Sequence, residues 1–359
     1  MSRIEKIRTL LKDQNLDALF VTNESNIFYL TGISSFSPRE RDASVLLTKQ
    51  NLYLFTDARY TEALKDNSDF TVCQIRSKSE IFSQLNKKVE QEKIKTLGFE
   101  EENILLSEFM RLQKDVKVNL FPTVDPIEDI RLQKDEQELQ AIQKACELTD
   151  KAFQHVLHHI KEGVTEQQLA FEIEFFIKKN DGDLAFPSIV AFGKNAAVPH
   201  HETSQKKLSK NDHFVLFDIG AKVDNYCADL SRTVFLGKAG AKMKKIYETT
   251  LSSQLLAIEK MLDKKVIISD IDQAAQSIIK QNGFERIPHA LGHGVGIDVH
   301  ELPVIARRND NILQKGAVIT IEPGIYVPNL GGIRIEDTIY YDGEKPHLLT
   351  HSTNDLIEL

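Results

Sequence analysis

Two segments of this 359-residue chain combine dense β-forming residues with carboxylates, and together they constrain the fold more than any other feature. The first, Phe214 to Gly237, reads FVLFDIGAKVDNYCADLSRTVFLG; the second, Val318 to Tyr341, reads VITIEPGIYVPNLGGIRIEDTIYY. In each, two runs of β-branched and aromatic residues flank a stretch suited to a turn, the pattern of an antiparallel hairpin. A turn centred between Val223 and Asp224 predicts Asp218 opposite Asp229. A turn centred near Asn329 predicts Glu322 opposite Glu336. Directly opposed residues share a face, with Cβ atoms about 4.5–5.5 Å apart, where like charges repel. A divalent cation removes that repulsion, because carboxylate oxygens are hard ligands. A charged strand residue ordinarily sits on a solvated face. Here Val215, Leu216, Phe217 and Ile219 enclose Asp218, and Ile319, Thr320 and Ile321 precede Glu322, so an unpaired carboxylate would be costly to bury.

Histidines cluster near these segments. Ile287 to Glu301 reads IPHALGHGVGIDVHE, with His289, His293 and His300 among Gly292, Gly294 and Gly296. Glycine lets the backbone approach a site closely. The spacing is not that of an HExxH zinc helix. Upstream, Phe186 to His201 reads FPSIVAFGKNAAVPHH, a loop-like segment ending in two adjacent histidines.

The remaining sequence organises around these motifs. The first third alternates helical patterns with strand patterns at Leu16–Val21, Val45–Leu47, Leu52–Phe55, Phe70–Ile75 and Thr96–Phe99, which predicts an α/β arrangement. Pro122 and Pro126 bracket a boundary, giving expected domains of 1–125 and 126–359. A long helix is expected after Leu132, a second over Glu166–Lys178, and others near Lys242–Leu262 and Ile271–Gln281. The second domain thus reads twice as helices followed by strands, a duplicated α+β organisation.

Composition narrows the function classes. Apolar residues make up 41% and charged residues 27%, enough for a sizeable core. The net charge of −8 gives no electrostatic reason for a nucleic-acid or anionic-membrane partner. No run approaches the roughly 18 apolar residues of a membrane span, and the N-terminus lacks the apolar stretch of a signal peptide. Cys73, Cys146 and Cys227 are dispersed and odd in number, which argues against a disulfide framework and for a reducing, cytoplasmic setting.

Taken together, these residues resemble the metallopeptidases that include aminopeptidase P, prolidase and methionine aminopeptidase. The motif is Asp218, Asp229 eleven positions later, then His293, Glu322 and Glu336, and it covers the chain from about residue 130. The N-terminal third resembles the creatinase-type domain, through DALFVTNESNIFYLTG (Asp17–Gly32) and LFTDARYTE (Leu54–Glu62). That domain, His289, and Arg334 in Arg334-Ile335-Glu336 favour the Xaa-Pro branch over methionine aminopeptidase. The resemblance implies a pita-bread catalytic domain, a curved antiparallel sheet with helices in duplicated halves, preceded by a smaller α/β domain. It implies two divalent ions, manganese first, with cobalt, zinc or iron as alternatives. Asp218 would bind one ion, Asp229 and Glu336 would bridge, and His293 and Glu322 would complete the second. It implies attack by a metal-bridged hydroxide on the bond preceding proline, with Glu322 moving the proton, His289 and His300 orienting substrate, and Arg334 fixing carboxylates. For the histidine lining the substrate pocket, the Pro199-His200 context favours His200, whereas spacing back from Asp218 favours His201. The expected substrate is a peptide with proline second, and the expected assembly a homodimer. An aminopeptidase of other specificity, such as for N-terminal methionine, and a non-catalytic pita-bread binding protein are the alternatives.

Overall fold

The structure is a computed structural model that describes residues 2–37, 40–210 and 213–359. The chain divides into two compact units, Met1–Arg131 and Leu132–Leu359.

The first unit carries one six-stranded mixed sheet. Its strands are β1 (Ala18–Val21), β2 (Ala43–Thr48), β3 (Leu52–Asp57), β4 (Thr71–Ile75), β5 (Thr96–Glu100) and β6 (Asn119–Thr123), in the order β4-β3-β2-β1-β5-β6. Helices α1 (Arg3–Asp13), α2 (Glu24–Thr31), α3 (Ala58–Thr61), α4 (Glu80–Gln91), α5 (Leu106–Asp115) and α6 (Glu128–Arg131) connect or follow the strands. A Ser2–Glu5 capping box starts α1, and Asn23 caps α2. The division falls at Arg131, beyond the expected 125, because the intervening segment is tied to this unit. Asn26 Nδ2 donates to Glu128 at 2.6 Å, and Arg131 donates to Asn26 Oδ1 at 2.9 Å.

The second unit opens with α7 (Glu136–Leu157) and α8 (Glu166–Lys179), each started by a capping box, Asp135–Glu138 and Thr165–Gln168. Ala141, Ile142, Ala145, Leu148, Ala152, Phe153 and Val156 recur at three-to-four spacing and form the buried face of α7. Strands β7 (Asp183–Leu184), β8 (Ile189–Phe192), β9 (Phe214–Ile219), β10 (Ala221–Val223), β11 (Tyr226–Cys227) and β12 (Leu230–Phe235) follow. Then come α9 (Ala241–Lys260) and α10 (Ile268–Gln281). The last strands are β13 (Gly292–Gly294), β14 (Glu301–Ile305), β15 (Val318–Ile321), β16 (Gly324–Val327), β17 (Gly331–Arg334), β18 (Asp337–Tyr341), β19 (Pro346–Leu348) and β20 (Ile357–Glu358). Sheets β20-β12-β9-β8 and β14-β13-β15-β18-β19 dominate. Helix pair, then strands, occurs twice, as the sequence pattern predicts.

Strand β9 sits between two cores. Val215, Phe217 and Ile219 pack with the α7 and α8 residues, while Phe214 and Leu216 pack with those of α9 and α10. Asp218 continues the Phe214–Leu216 face, since alternate residues share a side. Its carboxylate is thereby directed into the interior rather than to solvent. Among the described residues, no helix is long and apolar enough to cross a membrane.

Candidate metal centre

Each carboxylate-bearing segment is an interrupted hairpin. In the first, Asp218 on β9 lies opposite Ser231 on β12, and Val223 on β10 lies opposite Tyr226 on β11. Both ladders centre the turn between Asp224 and Asn225, whose φ values of 50° and 67° are those of a two-residue type I′ turn. The expected direct opposition of Asp218 and Asp229 is therefore corrected: Asp229 falls between β11 and β12, diagonal to Asp218. A type I′ turn needs left-handed backbone at both central positions, which Asp and Asn tolerate and β-branched Val223 does not. The pairing shifts by two residues, one full side-chain period, so both carboxylates keep the same face.

In the second hairpin, Ile321 opposes Asp337 and Gly324 opposes Arg334. That common register places Glu322 across from Glu336, with Asn329 in the turn at φ 62°. The two hairpins are then joined side by side. Glu336 N donates to Ser231 O at 3.1 Å, and Thr338 Oγ1 donates to Asp229 O at 2.8 Å. Below them Arg232 is fully buried, donating to Asp337 Oδ1 at 2.7 Å and to the carbonyls of Ser231, Glu336, Ser352 and Thr353.

This joining brings all five residues of the sequence motif into one place. Donor atoms of Asp218, Asp229 and Glu336 form one group within 4.8 Å, and those of His293, Glu322 and Glu336 form another. His293 comes from β13, which is threaded between β14 and β15. A Cβ at Gly292 would lie 2.0 Å from Thr320 O, so only glycine permits that approach. His293 Nδ1 lies 3.0 Å from Gly294 O, a carbonyl that only accepts, so Nδ1 carries the proton. Its Nε2 lone pair therefore faces Glu322 Oε1 at 3.4 Å and Asp229 Oδ2 at 3.6 Å.

The electrostatics call for a cation. Burial, then repulsion from Glu336, raises the carboxyls of Asp229 and Glu322 well above the ordinary range. Burial, then Asp218, pushes Glu336 up to about 8. Burial lowers His293 to about 4, with His300 adding to the effect, so the imidazole is neutral and free to coordinate. Asp229 Oδ1 and Glu336 Oε1 are buried with no hydrogen-bond partner. Crowded carboxylates, orphaned oxygens and an aimed imidazole lone pair are a donor set that divalent metal fits.

Arg334 braces this cluster. It donates to Asp218 Oδ2 at 2.5 Å, to Ser231 Oγ at 2.7 Å, to Tyr326 OH at 3.0 Å and to Pro199 O at 3.2 Å. Ser231 Oγ in turn donates to Glu336 Oε2 at 2.7 Å. His289 Nδ1 donates to Ala290 O at 2.7 Å, and Tyr326 OH lies 3.0 Å from its Nε2. Burial lowers His289 to about 4. His300 is exposed, with its ring 4.2 Å from that of His293, and burial of part of the ring lowers its pKa. The adjacent histidines diverge. His201 Nε2 is held by Glu166 Oε2 at 2.9 Å, whereas His200 is exposed.

Sequence reasoning missed Tyr326 and Ser231. Both were within reach of register. Ser231 directly opposes Asp218, and Tyr326 lies diagonal to Arg334 across the turn at Asn329.

A pita-bread domain whose paired hairpins converge carboxylates and one histidine on a point defines a metallohydrolase. The comparisons agree: the model of metallopeptidase family M24 matches residues 140–342, and that of the creatinase/prolidase N-terminal domain matches residues 3–133. The chain belongs to metallopeptidase family M24. It is 34% identical over 358 residues to an Xaa-Pro dipeptidase of Pyrococcus horikoshii, spanning 99% of this chain and 98% of that protein. An Xaa-Pro dipeptidase structure from Bacillus anthracis superposes with a TM-score of 0.91 at 30% identity, covering 99% of each chain. An X-Pro aminopeptidase structure from Thermotoga maritima gives 0.87 at 31% identity, covering 98% of this chain and 100% of that one.

Proposed function

We propose that this chain is a dinuclear-metal Xaa-Pro peptidase that hydrolyses the bond between an N-terminal residue and proline. The observation that carries the reading is the pair of donor groups that meet at Glu336, where burial and mutual repulsion raise the carboxyls of Asp229, Glu322 and Glu336. Asp218, Asp229 and Glu336 would hold one ion, and His293, Glu322, Glu336 and the shared Asp229 the other. Four carboxylates and one imidazole suit manganese. When bound, the ions supply Lewis-acid polarisation of the scissile carbonyl and a water acidic enough to attack near neutral pH.

The protein's own groups do the rest. Glu322, whose Oε1 lies 3.4 Å from His293 Nε2 within the donor group, would take the proton from the attacking water and pass it to the leaving nitrogen. His300, exposed beside His293, donates a hydrogen bond to the developing oxyanion. Both ring nitrogens of His289 are already engaged, so it acts by fixing Tyr326, which with Arg334 sets the pocket wall. His200 lines the substrate side, and His201 is committed to Glu166. Proline as the second residue gives a tertiary amide with no N–H, so no donor on that nitrogen needs a partner.

Dipeptidase-named and aminopeptidase-named relatives are both similar to this chain. A homodimer working in the cytoplasm completes the proposal. The test is hydrolysis of Xaa-Pro, Xaa-Pro-Yaa and Met-Ala-Yaa peptides by manganese-reconstituted protein, with a chelator control. Cleavage restricted to the proline peptides and abolished by chelator is expected. Cleavage of neither proline peptide would overturn the proposal.

A further inference from the structure

A second convergence of metal-ligating side chains lies on α7 and α8, made of residues that the peptidase reading leaves unused. His155 stands in the last turn of α7, and His159 follows just beyond its C-cap, His158. Glu172 stands in the middle of α8. His155 Nε2 and His159 Nε2 each lie 3.6 Å from Glu172 Oε2, and the three donor atoms fall within 4.8 Å of one another. Ligands bound at about 2.0–2.1 Å around a tetrahedral ion sit about 3.4 Å apart. The observed spacing is thus close to that of a filled site and too long for hydrogen bonds between the partners.

The tautomers and ring orientations favour a cation. His159 Nδ1 lies 3.1 Å from His155 O, so Nδ1 holds the proton and Nε2 offers a lone pair toward Glu172. His155 Nε2 is buried and has no hydrogen-bond partner. The His155 ring is stacked on Phe176 at 4.6 Å and an interplanar angle of 25°. Phe176 follows Glu172 by one turn, so the same face of α8 supplies the carboxylate and clamps the ring. The three side chains are 29%, 37% and 43% exposed, which leaves a route for an ion to enter.

We propose that His155, His159 and Glu172 form a zinc site, separate from the carboxylate centre, with a fourth position open to water. Two imidazoles and one carboxylate suit zinc, whereas four carboxylates and one imidazole suit a harder ion. A bound ion cross-links the C-terminal end of α7 to α8. It thereby stiffens the helix whose first residue, Glu166, organises Phe192, Asn195, His201 and Ser204.

The test uses full-length protein, stripped by chelator, then incubated with excess Zn²⁺, with bound zinc per chain read after equilibrium dialysis. Wild type, His159→Gln and Glu172→Gln are compared. One fewer zinc per chain is expected in each variant, and a smaller zinc-dependent rise in melting temperature. Hydrolysis by the manganese-loaded variants should remain within about twofold of wild type, which also reports that they fold. Equal zinc content in wild type and both variants would overturn the site. Loss of manganese-dependent hydrolysis together with zinc would also overturn it, because the residues would then belong to the integrity of the catalytic unit.

Discussion

The two hairpins deliver the same kind of side chain by different geometry. The first turns tightly on Asp224-Asn225 and offers Asp218 and Asp229 diagonally, with Ser231 taking the place opposite Asp218. The second turns near Asn329 and sets Glu322 across from Glu336. The shorter Asp side chains are thus staggered along the ladder, while the longer Glu side chains meet across it. Glu336 belongs both to the group with Asp218 and Asp229 and to the group with His293 and Glu322, and Asp229 also reaches His293, its Oδ2 lying 3.6 Å from Nε2. Each hairpin thus offers one proposed shared ligand, Asp229 or Glu336, and the second also carries the proposed proton carrier and the Arg334 brace.

That asymmetry sets the order of the expected effects. Glu322→Gln should have the largest effect on turnover, a loss of about 10²–10⁴-fold in kcat with the fold intact by circular dichroism. Near-normal kcat would remove Glu322 from the chemistry. For metal retention, Glu336→Gln should release both ions, whereas Asp218→Asn should retain one; metal analysis after dialysis distinguishes them, and equal retention would erase the difference between the hairpins. Arg334→Ala removes the brace and should weaken metal affinity or activity by about 10–100-fold. Tyr326→Phe removes one hydroxyl that links Arg334 to His289 and should lower kcat/KM by roughly fivefold, the scale of one hydrogen bond of about 1 kcal/mol.

The smallest effect expected is one of stability. Glu336, raised from 4.5 to about 8, favours the metal-free fold most below its unfolded value, and that contribution is lost as pH rises through 8. Asp229 and Glu322 shift in the same direction. Bound cations offset the charge, so the rise in Tm on adding Mn²⁺ should be larger at pH 8 than at pH 6. A shift independent of pH would detach the carboxylates from metal binding.

Much of this was legible in the sequence, and the exceptions have physical reasons. Pro328 and the glycines at 331 and 332 delimit one turn, so the Glu322–Glu336 register could be read. In Lys222-Val223-Asp224-Asn225, Val223 is a strand former that the reading placed in the turn; the requirement for two successive left-handed residues moves the centre to Asp224-Asn225. The long helices were readable from apolar spacing, and the structure adds their caps, Asp135 and Thr165. The connections between hairpins were not. Ser231 reaching Glu336, and Arg232 reaching Asp337, join residues more than a hundred positions apart, and no local pattern encodes that approach. The His155–His159–Glu172 group was hidden because it forms only where the C-terminal end of α7 packs beside α8.

The central claim is that the two hairpins together build one two-metal centre around Glu336. Anomalous diffraction from crystals of manganese-loaded protein tests it most directly. The account predicts two manganese peaks per chain, one among Asp218, Asp229 and Glu336, the other among His293, Glu322, Glu336 and the shared Asp229. A single peak, or two peaks of which only one contacts Glu336, would contradict it.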